Sequence, residues 1–232
     1  MTQQKLVLIP GMLNNAALWN AVAPALREKV QVVTPTSLAQ DSVTAMADAV
    51  LAYTPPGPFA LAGFSTGGWV AQEVVRRAGD RVSRLALISS SAGPANASER
   101  DMLARAGAAA ATGFDLILER MLPMVLHASH LGDHALREAA IRMWRDVGPT
   151  INVRQCRAAL DRPDLRAVLH DLQIPVLIAC GSEDQVTPPA LAHELAGLMP
   201  SAHLAFVDRC GHLLPLERPD ELVALLWQWL DA

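Results

Sequence analysis

Short runs of consecutive apolar residues recur along the chain, and stretches with helical spacing separate most of them. The runs are Lys5 to Ile9, Val30 to Val33, Phe59 to Gly63, Leu85 to Ile88, Val176 to Cys180 and Leu204 to Val207. A continuous apolar run of this length is typical of a strand buried on both faces of a parallel sheet. The pattern therefore predicts an α/β fold, a doubly wound, mostly parallel sheet of about six strands with helices on both faces.

The intervening stretches carry apolar residues at helical spacing. Leu18, Val22 and Leu26 mark one predicted helix, and Val43 to Leu51 mark a second, with Asp41 or Ser42 as its cap. Further helices are predicted at Val70 to Arg77, from Thr187-Pro188-Pro189 through Leu198, and at Pro219 to Leu230.

The interval from Gly93 to Leu172 breaks this alternation, because it contains no strand-like run. About eighty residues is too long for a plain loop in a compact domain, and glycines and prolines divide the interval into helix-like pieces. We therefore expect a helical cap at residues 93–172. It would be inserted into a core of residues 1–92 and 173–232, above the carboxyl ends of the strands, where such sheets bind ligands.

A serine lies at the predicted turn between the third strand and the following helix. The sequence GFSTG at residues 63–67 places a glycine two positions to either side of Ser65. This pattern is typical of a nucleophile elbow, in which a sharp turn presents the hydroxyl above the sheet. Glycine suits such a turn because it has no Cβ to clash. The alternative is a tight turn with an inert serine.

A nucleophilic serine needs a base, and the base needs an acid to orient it. Asp184 follows the fifth apolar run and His212 follows the sixth, so the order Ser, Asp, His matches that of one known fold. Glu183 and Asp208 are rival acids. A solvated loop carboxylate is the alternative for Asp184, and a structural role is the alternative for His212.

The oxyanion of the reaction would need two preorganised N–H donors. We expect one from Thr66, directly after Ser65, and the other from Met12, in the loop after the first strand. Apolar residues beside these groups or in the cap predict the pocket wall: Leu13, Phe64, Met121, Met124, Val125, Val186 and Leu213. Core packing is the alternative for them.

Composition and charge argue against several classes of protein. A net charge of −4 gives no electrostatic argument for nucleic acid or an anionic membrane. No apolar run approaches the roughly 18 residues of a membrane span. The first residues run into a strand without a secretory signal, so we expect a cytoplasmic protein. The three cysteines include no close pair, which argues against a disulfide framework or a zinc site.

Three histidines and one cysteine offer rival chemistry. His127, His130 and His134 have helix-like spacing and could meet on one face to bind a metal, but a polar cap surface is the interpretation we favour. Cys210, close to His212, is interpreted as a core residue because it lacks an elbow. We expect neither a metal nor a cofactor.

The combined motifs resemble those of the α/β-hydrolases. GFSTG around Ser65, GSEDQVTP around Asp184, CGHLLPLERP around His212 and the early PGMLNNAALW span nearly the whole chain. The resemblance implies that Ser65, Asp184 and His212 are nucleophile, acid and base. It also implies that Met12 and Thr66 form the oxyanion hole and that residues 93–172 are the cap.

The chain departs from that family at two places. Pro10-Gly11 stands where the family often has His-Gly, so a polar group at the pocket floor is lost. The usual antiparallel strand pair is not found before the first apolar run, so we expect six strands rather than eight.

The resulting hypothesis is a cofactor-independent serine hydrolase of small carboxylic esters or lactones. Similar proteins use the same triad to cleave carbon–carbon bonds, to form peracids or to transfer acyl groups. A C–C bond hydrolase, or an acyltransferase or perhydrolase, is therefore the alternative. A non-catalytic binding protein of the same fold is a third hypothesis. The sequence does not indicate the oligomeric state.

Overall fold

The computed structural model describes residues 3–36, 38–110 and 113–232, and in these ranges six strands form one sheet. The strands are β1 (Lys5–Ile9), β2 (Gln31–Val33), β3 (Phe59–Phe64), β4 (Val82–Ile88), β5 (Val176–Gly181) and β6 (His203–Val207). Their order across the sheet is β2-β1-β3-β4-β5-β6, and all neighbouring pairs are parallel. The predicted fold class and strand number are confirmed.

Helices connect and cover these strands. They are α1 (Ala23–Leu26), α2 (Val43–Tyr53), α3 (Thr66–Ala78), α4 (Ala97–Ala110), α5 (Phe114–Val125), α6 (His134–Leu160), α7 (Arg166–His170), α8 (Pro189–Leu198), α9 (Leu214–Glu217) and α10 (Pro219–Asp231). No helix in the described ranges has both the length and the apolar character needed to cross a bilayer.

Alternate residues of β1 show how the two faces of the sheet are covered. Leu6 and Leu8 belong to one buried cluster, which includes residues of α1 and α10. Val7 and Ile9 belong to a second cluster, with residues of α2, α3 and α8. Successive strand residues point to opposite faces, so the two clusters lie on the two sides of the sheet. Burial on both faces is the reason that the strands are continuous apolar runs.

The first predicted helix is not continuous. A 3₁₀ turn (Ala16–Trp19) and the short α1 replace it. Pro24 lies in the first turn of α1 and has no N–H to donate to the preceding turn, so a new helix begins there. The cap of α2 is Ser42 rather than Asp41, since Ser42 Oγ accepts from Ala45 N at 3.2 Å.

The described part of residues 93–172 is helical and contains no strand. In this segment α4 and α6 pack together, and α7 contacts α3 and α8 beside the sheet. Helix α6 bends at Gly148, whose φ is 78°, directly before Pro149. The bend divides α6 into a first arm (134–147) and a second arm (149–160).

The junction of β3 and α3 leaves no room for a side chain at Gly63. A Cβ there would lie 2.2 Å from the carbonyl oxygen of Gly67. Gly63→Ala should therefore lower the free energy of unfolding by about 1–3 kcal/mol or more, which is the usual effect of an extra methyl group in a closely packed site. Urea denaturation would measure this change. Gly79→Ala is the matched control, because the nearest atom to its Cβ would be 4.0 Å away. Equal stabilities for the two variants would contradict the prediction.

Candidate active site

Ser65 occupies a strained turn between β3 and α3. Its φ of 53° and ψ of −119° are unusual for a residue with a side chain. Three hydrogen bonds hold this backbone. Ser65 N donates to Ile88 O at 2.8 Å, and Ser65 O accepts from Gly68 N at 2.8 Å and from Ser90 Oγ at 2.9 Å. The turn and the end of the neighbouring strand β4 thus fix the position of the Ser65 side chain.

His212 lies between Ser65 and Asp184. Its Nε2 is 3.0 Å from Ser65 Oγ, and its Nδ1 is 2.8 Å from Asp184 Oδ2. With the proton on Nδ1, the ring donates to Asp184 and leaves Nε2 free to accept from the serine hydroxyl. The Phe64 ring packs against the imidazole, with 5.0 Å between centroids. The structure therefore brings together the three residues that the sequence singled out.

The carboxylate of Asp184 is buried and fully engaged. Its Oδ1 accepts from Val186 N and Thr187 N, both at 2.8 Å, and Thr187 Oγ1 donates to Oδ2 at 2.8 Å. Burial by itself raises the pKa of Asp184. The charge of His212 and the hydrogen bonds from His212 and Thr187 outweigh that effect and hold the pKa below its ordinary value. Asp184 is thus kept ionised beside the imidazole.

The rival acids are exposed and bond elsewhere. Glu183 accepts from Ser182 Oγ at 2.5 Å and from Cys210 N at 3.2 Å, while Asp208 lies at the surface. Neither makes a hydrogen bond to His212 in the described part of the chain.

The N–H groups of the two predicted oxyanion donors make no hydrogen bond within the described ranges. Thr66 is the first residue of α3, where an amide has no acceptor within its own helix. Met12 N donates to no protein acceptor within the described ranges. Gly11 brings the Met12 loop close to the elbow, because a Cβ on Gly11 would lie 3.1 Å from Ser65 Cβ. Residue 66 directly follows Ser65 and the Met12 loop lies against it, so the role of both amides as oxyanion donors stays a prediction.

The loop that carries His212 is bonded to the end of α5. His212 N and Leu213 N donate to Val125 O at 2.8 and 3.2 Å. A Cβ on Gly211 would lie 2.8 Å from that same carbonyl, so the two segments touch backbone to backbone. No local pattern in the sequence predicts this contact, because it joins residues far apart in the chain.

Sequence reasoning missed the role of Glu217 in holding the His212 loop. Its side chain is completely buried. It accepts from Gly211 N at 3.0 Å and from His127 N at 2.7 Å, and lies 2.8 Å from His130 Nδ1. Glu217 therefore ties the His212 loop to the segment after α5. In the sequence, the one local indication of this role is that Glu217 lies five residues after His212.

The predicted pocket residues fall into two groups. Leu13, Phe64, Val125 and Leu213 are buried in one cluster, and Met121 packs against it. Met124 and Val186 are instead 47% and 37% exposed. Two surface cavities, of about 390 and 330 Å³, contain none of the predicted site residues. The composition of the pocket wall stays a prediction.

The three histidines at positions 127, 130 and 134 do not share a helical face. His127 precedes a 3₁₀ turn (Ala128–His130), and His134 begins α6, so the helix-like spacing was misleading. Asp133 caps α6 by accepting from Leu136 N at 3.0 Å, which starts a new helix at this point. In the described part of the chain, no group of three or more His, Cys, Asp or Glu side chains could hold a metal ion.

Comparisons with known proteins agree with this architecture. A profile described as "Alpha/beta hydrolase family" matches residues 6–225. The pimeloyl-acyl-carrier protein methyl ester esterase of Aromatoleum aromaticum is 31% identical, over 97% of this chain and 98% of that relative.

Among solved structures, a thermophilic esterase from Thermogutta terrifontis superposes with a TM-score of 0.91 at 25% identity, covering 99% of this chain and 90% of that one. The enol-lactonase of Burkholderia xenovorans also reaches a TM-score of 0.91, over 100% of this chain and 93% of that one. Its identity is 19%, so this likeness concerns the fold alone.

The environment of Asp184 predicts a pH-dependent contribution to stability. Its pKa is lowered on folding, so the carboxylate stabilises the folded protein above the unfolded pKa of about 3.9. That contribution is lost as the pH falls through the folded pKa. Asp184→Asn should therefore be less stable than wild type at neutral pH, and the difference should shrink below about pH 4.

Urea denaturation across this pH range measures the difference. Asp208→Asn changes an exposed carboxylate and should stay close to wild type throughout. A stability loss in Asp184→Asn that is constant with pH would contradict the assignment.

Proposed function

Because the chain belongs to the alpha/beta hydrolase family, we propose that it is a serine hydrolase that cleaves carboxylic esters through an acyl-enzyme on Ser65. The observation that carries this proposal is the hydrogen-bond chain from Ser65 through both nitrogens of His212 to Asp184. Nucleophile, base and orienting acid in continuous contact are what acyl transfer requires. The names of the esterases to which the chain is similar support the same class.

In the first half-reaction, Ser65 Oγ attacks the carbonyl carbon of the ester and His212 Nε2 takes the hydroxyl proton. Asp184 stabilises the imidazolium that forms and keeps the ring in its orientation. The tetrahedral intermediate then collapses, the bond to the alcohol oxygen breaks, and His212 returns the proton to the leaving alcohol. The acyl group remains bound to Ser65.

In the second half-reaction, water replaces the alcohol. His212 accepts a proton from the water as its oxygen attacks the acyl carbon, and the proton then passes to Ser65 Oγ as the carboxylic acid leaves. The Met12 and Thr66 N–H groups would stabilise the oxyanion in both halves. Removing one such donor typically lowers the rate by about 10²–10³.

Residues 93–172 are proposed as the cap, with residues 1–92 and 173–232 as the catalytic core. Contacts from the cap to the catalytic loops support this division, since Val125 O binds two amides of the His212 loop. The apolar residues Leu13, Phe64 and Leu213 would line the acyl side of the pocket. The cap would decide which ester reaches Ser65.

The substrate class to test first is a methyl ester at the end of a carrier-bound acyl chain. The relative named for that activity aligns with nearly the whole of this chain, cap included. A panel with this methyl ester, p-nitrophenyl esters of increasing length, a lactone and a dienol diketone would separate ester hydrolysis from lactone and carbon–carbon cleavage. Turnover of the diketone alone would contradict the proposal.

The nucleophile is tested by Ser65→Ala. We expect kcat for ester hydrolysis to fall by about 10⁶, because the acyl-enzyme cannot form. A fluorophosphonate probe should label wild type and the control Ser98→Ala, an exposed serine on α4, but not Ser65→Ala. Normal turnover by Ser65→Ala would contradict the proposed mechanism. A folded wild-type protein that the probe does not label would favour the non-catalytic binding protein.

A further inference from the structure

The loop after β1 is a tight turn that places a leucine in an unfavourable conformation. Asn14 N donates to Gly11 O at 3.1 Å, which closes a turn over residues 11–14. Leu13, the third residue, has a φ of 59°, whereas Met12 is not in the positive-φ region. This is the pattern of a type II turn, whose third position glycine or asparagine normally fills because a side chain is strained there. Other contacts must keep Leu13 in this form.

Two side chains hold the peptide that joins Met12 to Leu13. Gln155 Oε1, from the second arm of α6, accepts from Leu13 N at 2.9 Å, and Asn14 Nδ2 donates to Met12 O at 2.7 Å. Gln155 Nε2 donates in turn to Leu38 O at 2.7 Å, so the Gln155 amide is fixed at both ends. Rotation of the held peptide would convert the turn to type I and relieve Leu13. Both hydrogen bonds oppose that rotation.

The hydrogen bond that closes the turn, from Asn14 N to Gly11 O, fixes the direction of Met12 N–H. The peptide between Gly11 and Met12 is trans, so its C=O and N–H point in opposite directions. Gly11 O points to Asn14 inside the turn, and Met12 N–H therefore faces out of it. Met12 N–H is unpaired in the described part of the chain, and Gly11 lies against Ser65. The turn thus presents this N–H beside the elbow.

We propose that Gln155 is a positioning residue for the reaction: it anchors the strained turn at residues 11–14 to the second arm of α6 and so keeps Met12 N–H in place beside Ser65 for the oxyanion. This inference rests on the proposed function, since it assigns Gln155 a task only if an oxyanion forms beside Ser65. Gln155 is completely buried, and its only polar partners in the described ranges are Leu13 and Leu38. The second arm of α6 therefore also holds the loop that carries one proposed oxyanion donor.

The decisive variant is Gln155→Met, which keeps the length of the side chain and removes both hydrogen bonds. We expect kcat for a p-nitrophenyl ester to fall by about tenfold or more, short of the 10²–10³ that loss of a whole donor costs. KM should change by less than about threefold, because the contact acts in the transition state.

A second readout isolates the oxyanion. A trifluoromethyl ketone forms an adduct with the serine hydroxyl that carries the oxyanion charge, so it should lose affinity for Gln155→Met by the same factor as kcat/KM. Affinity for the product carboxylate should stay near the wild-type value. Asn152→Leu is the matched control. Asn152 is buried on the same arm of α6 and makes no hydrogen bond to residues 11–14 within the described ranges.

The outcomes separate the inference from the function on which it rests. A folded Gln155→Met enzyme with wild-type kcat and inhibitor affinity would overturn the inference alone, as would equal losses in Asn152→Leu. If Gln155→Met does not fold, Gln155→Asn keeps the amide but withdraws it by one methylene. It should lose kcat and inhibitor affinity together, and unchanged values would overturn the inference. A folded wild-type chain that cleaves no ester would overturn the proposed function and the inference with it.

Discussion

The strained backbone of Ser65 is the constraint on which the rest of the site depends. A φ of 53° at a residue with a side chain persists only where surrounding contacts enforce it. Here the enforcing contacts come from Ile88 O at the end of β4, from Ser90 Oγ just after that strand, and from the close approach of α3 to Gly63. The conformation of Ser65 therefore depends on the packing of β3, β4 and α3 together, and the five-residue motif alone does not determine it.

The groups proposed to act with Ser65 lie beside it because all strands are parallel. Their carboxyl ends share one edge of the sheet, so the loops after β1, β3, β5 and β6 open to the same side. The His212 loop follows β6, which lies two strands beyond β4, so its place in the sheet does not by itself bring His212 to Ser65. Contacts with the end of α5 fix that loop, through Val125 O and the buried carboxylate of Glu217.

The sequence predicted those parts of the structure that rest on local patterns. The strands were visible because burial on both faces demands unbroken apolar runs, and the Ser65 turn because only glycine tolerates its close contacts. Gln155 and Glu217 were not foreseen. Their partners lie 142 and 90 residues away in the chain, and a buried amide or carboxylate carries no local sign of what it will bind. The break before His134 was missed because spacing alone cannot distinguish one helix from two.

The bend of α6 at Gly148 has a consequence for engineering the specificity of this fold. The first arm, with Ile141 and Trp144, packs in the cluster that contains Leu13 and Leu213, whereas the second arm packs Cys156 and Ala159 in the cluster on the opposite face of the sheet. Gly148 is thus a natural junction for chimeras. Helices up to the bend can be exchanged with those of a related chain, while the second arm stays with the sheet and with the loop at residues 11–14 that Gln155 binds.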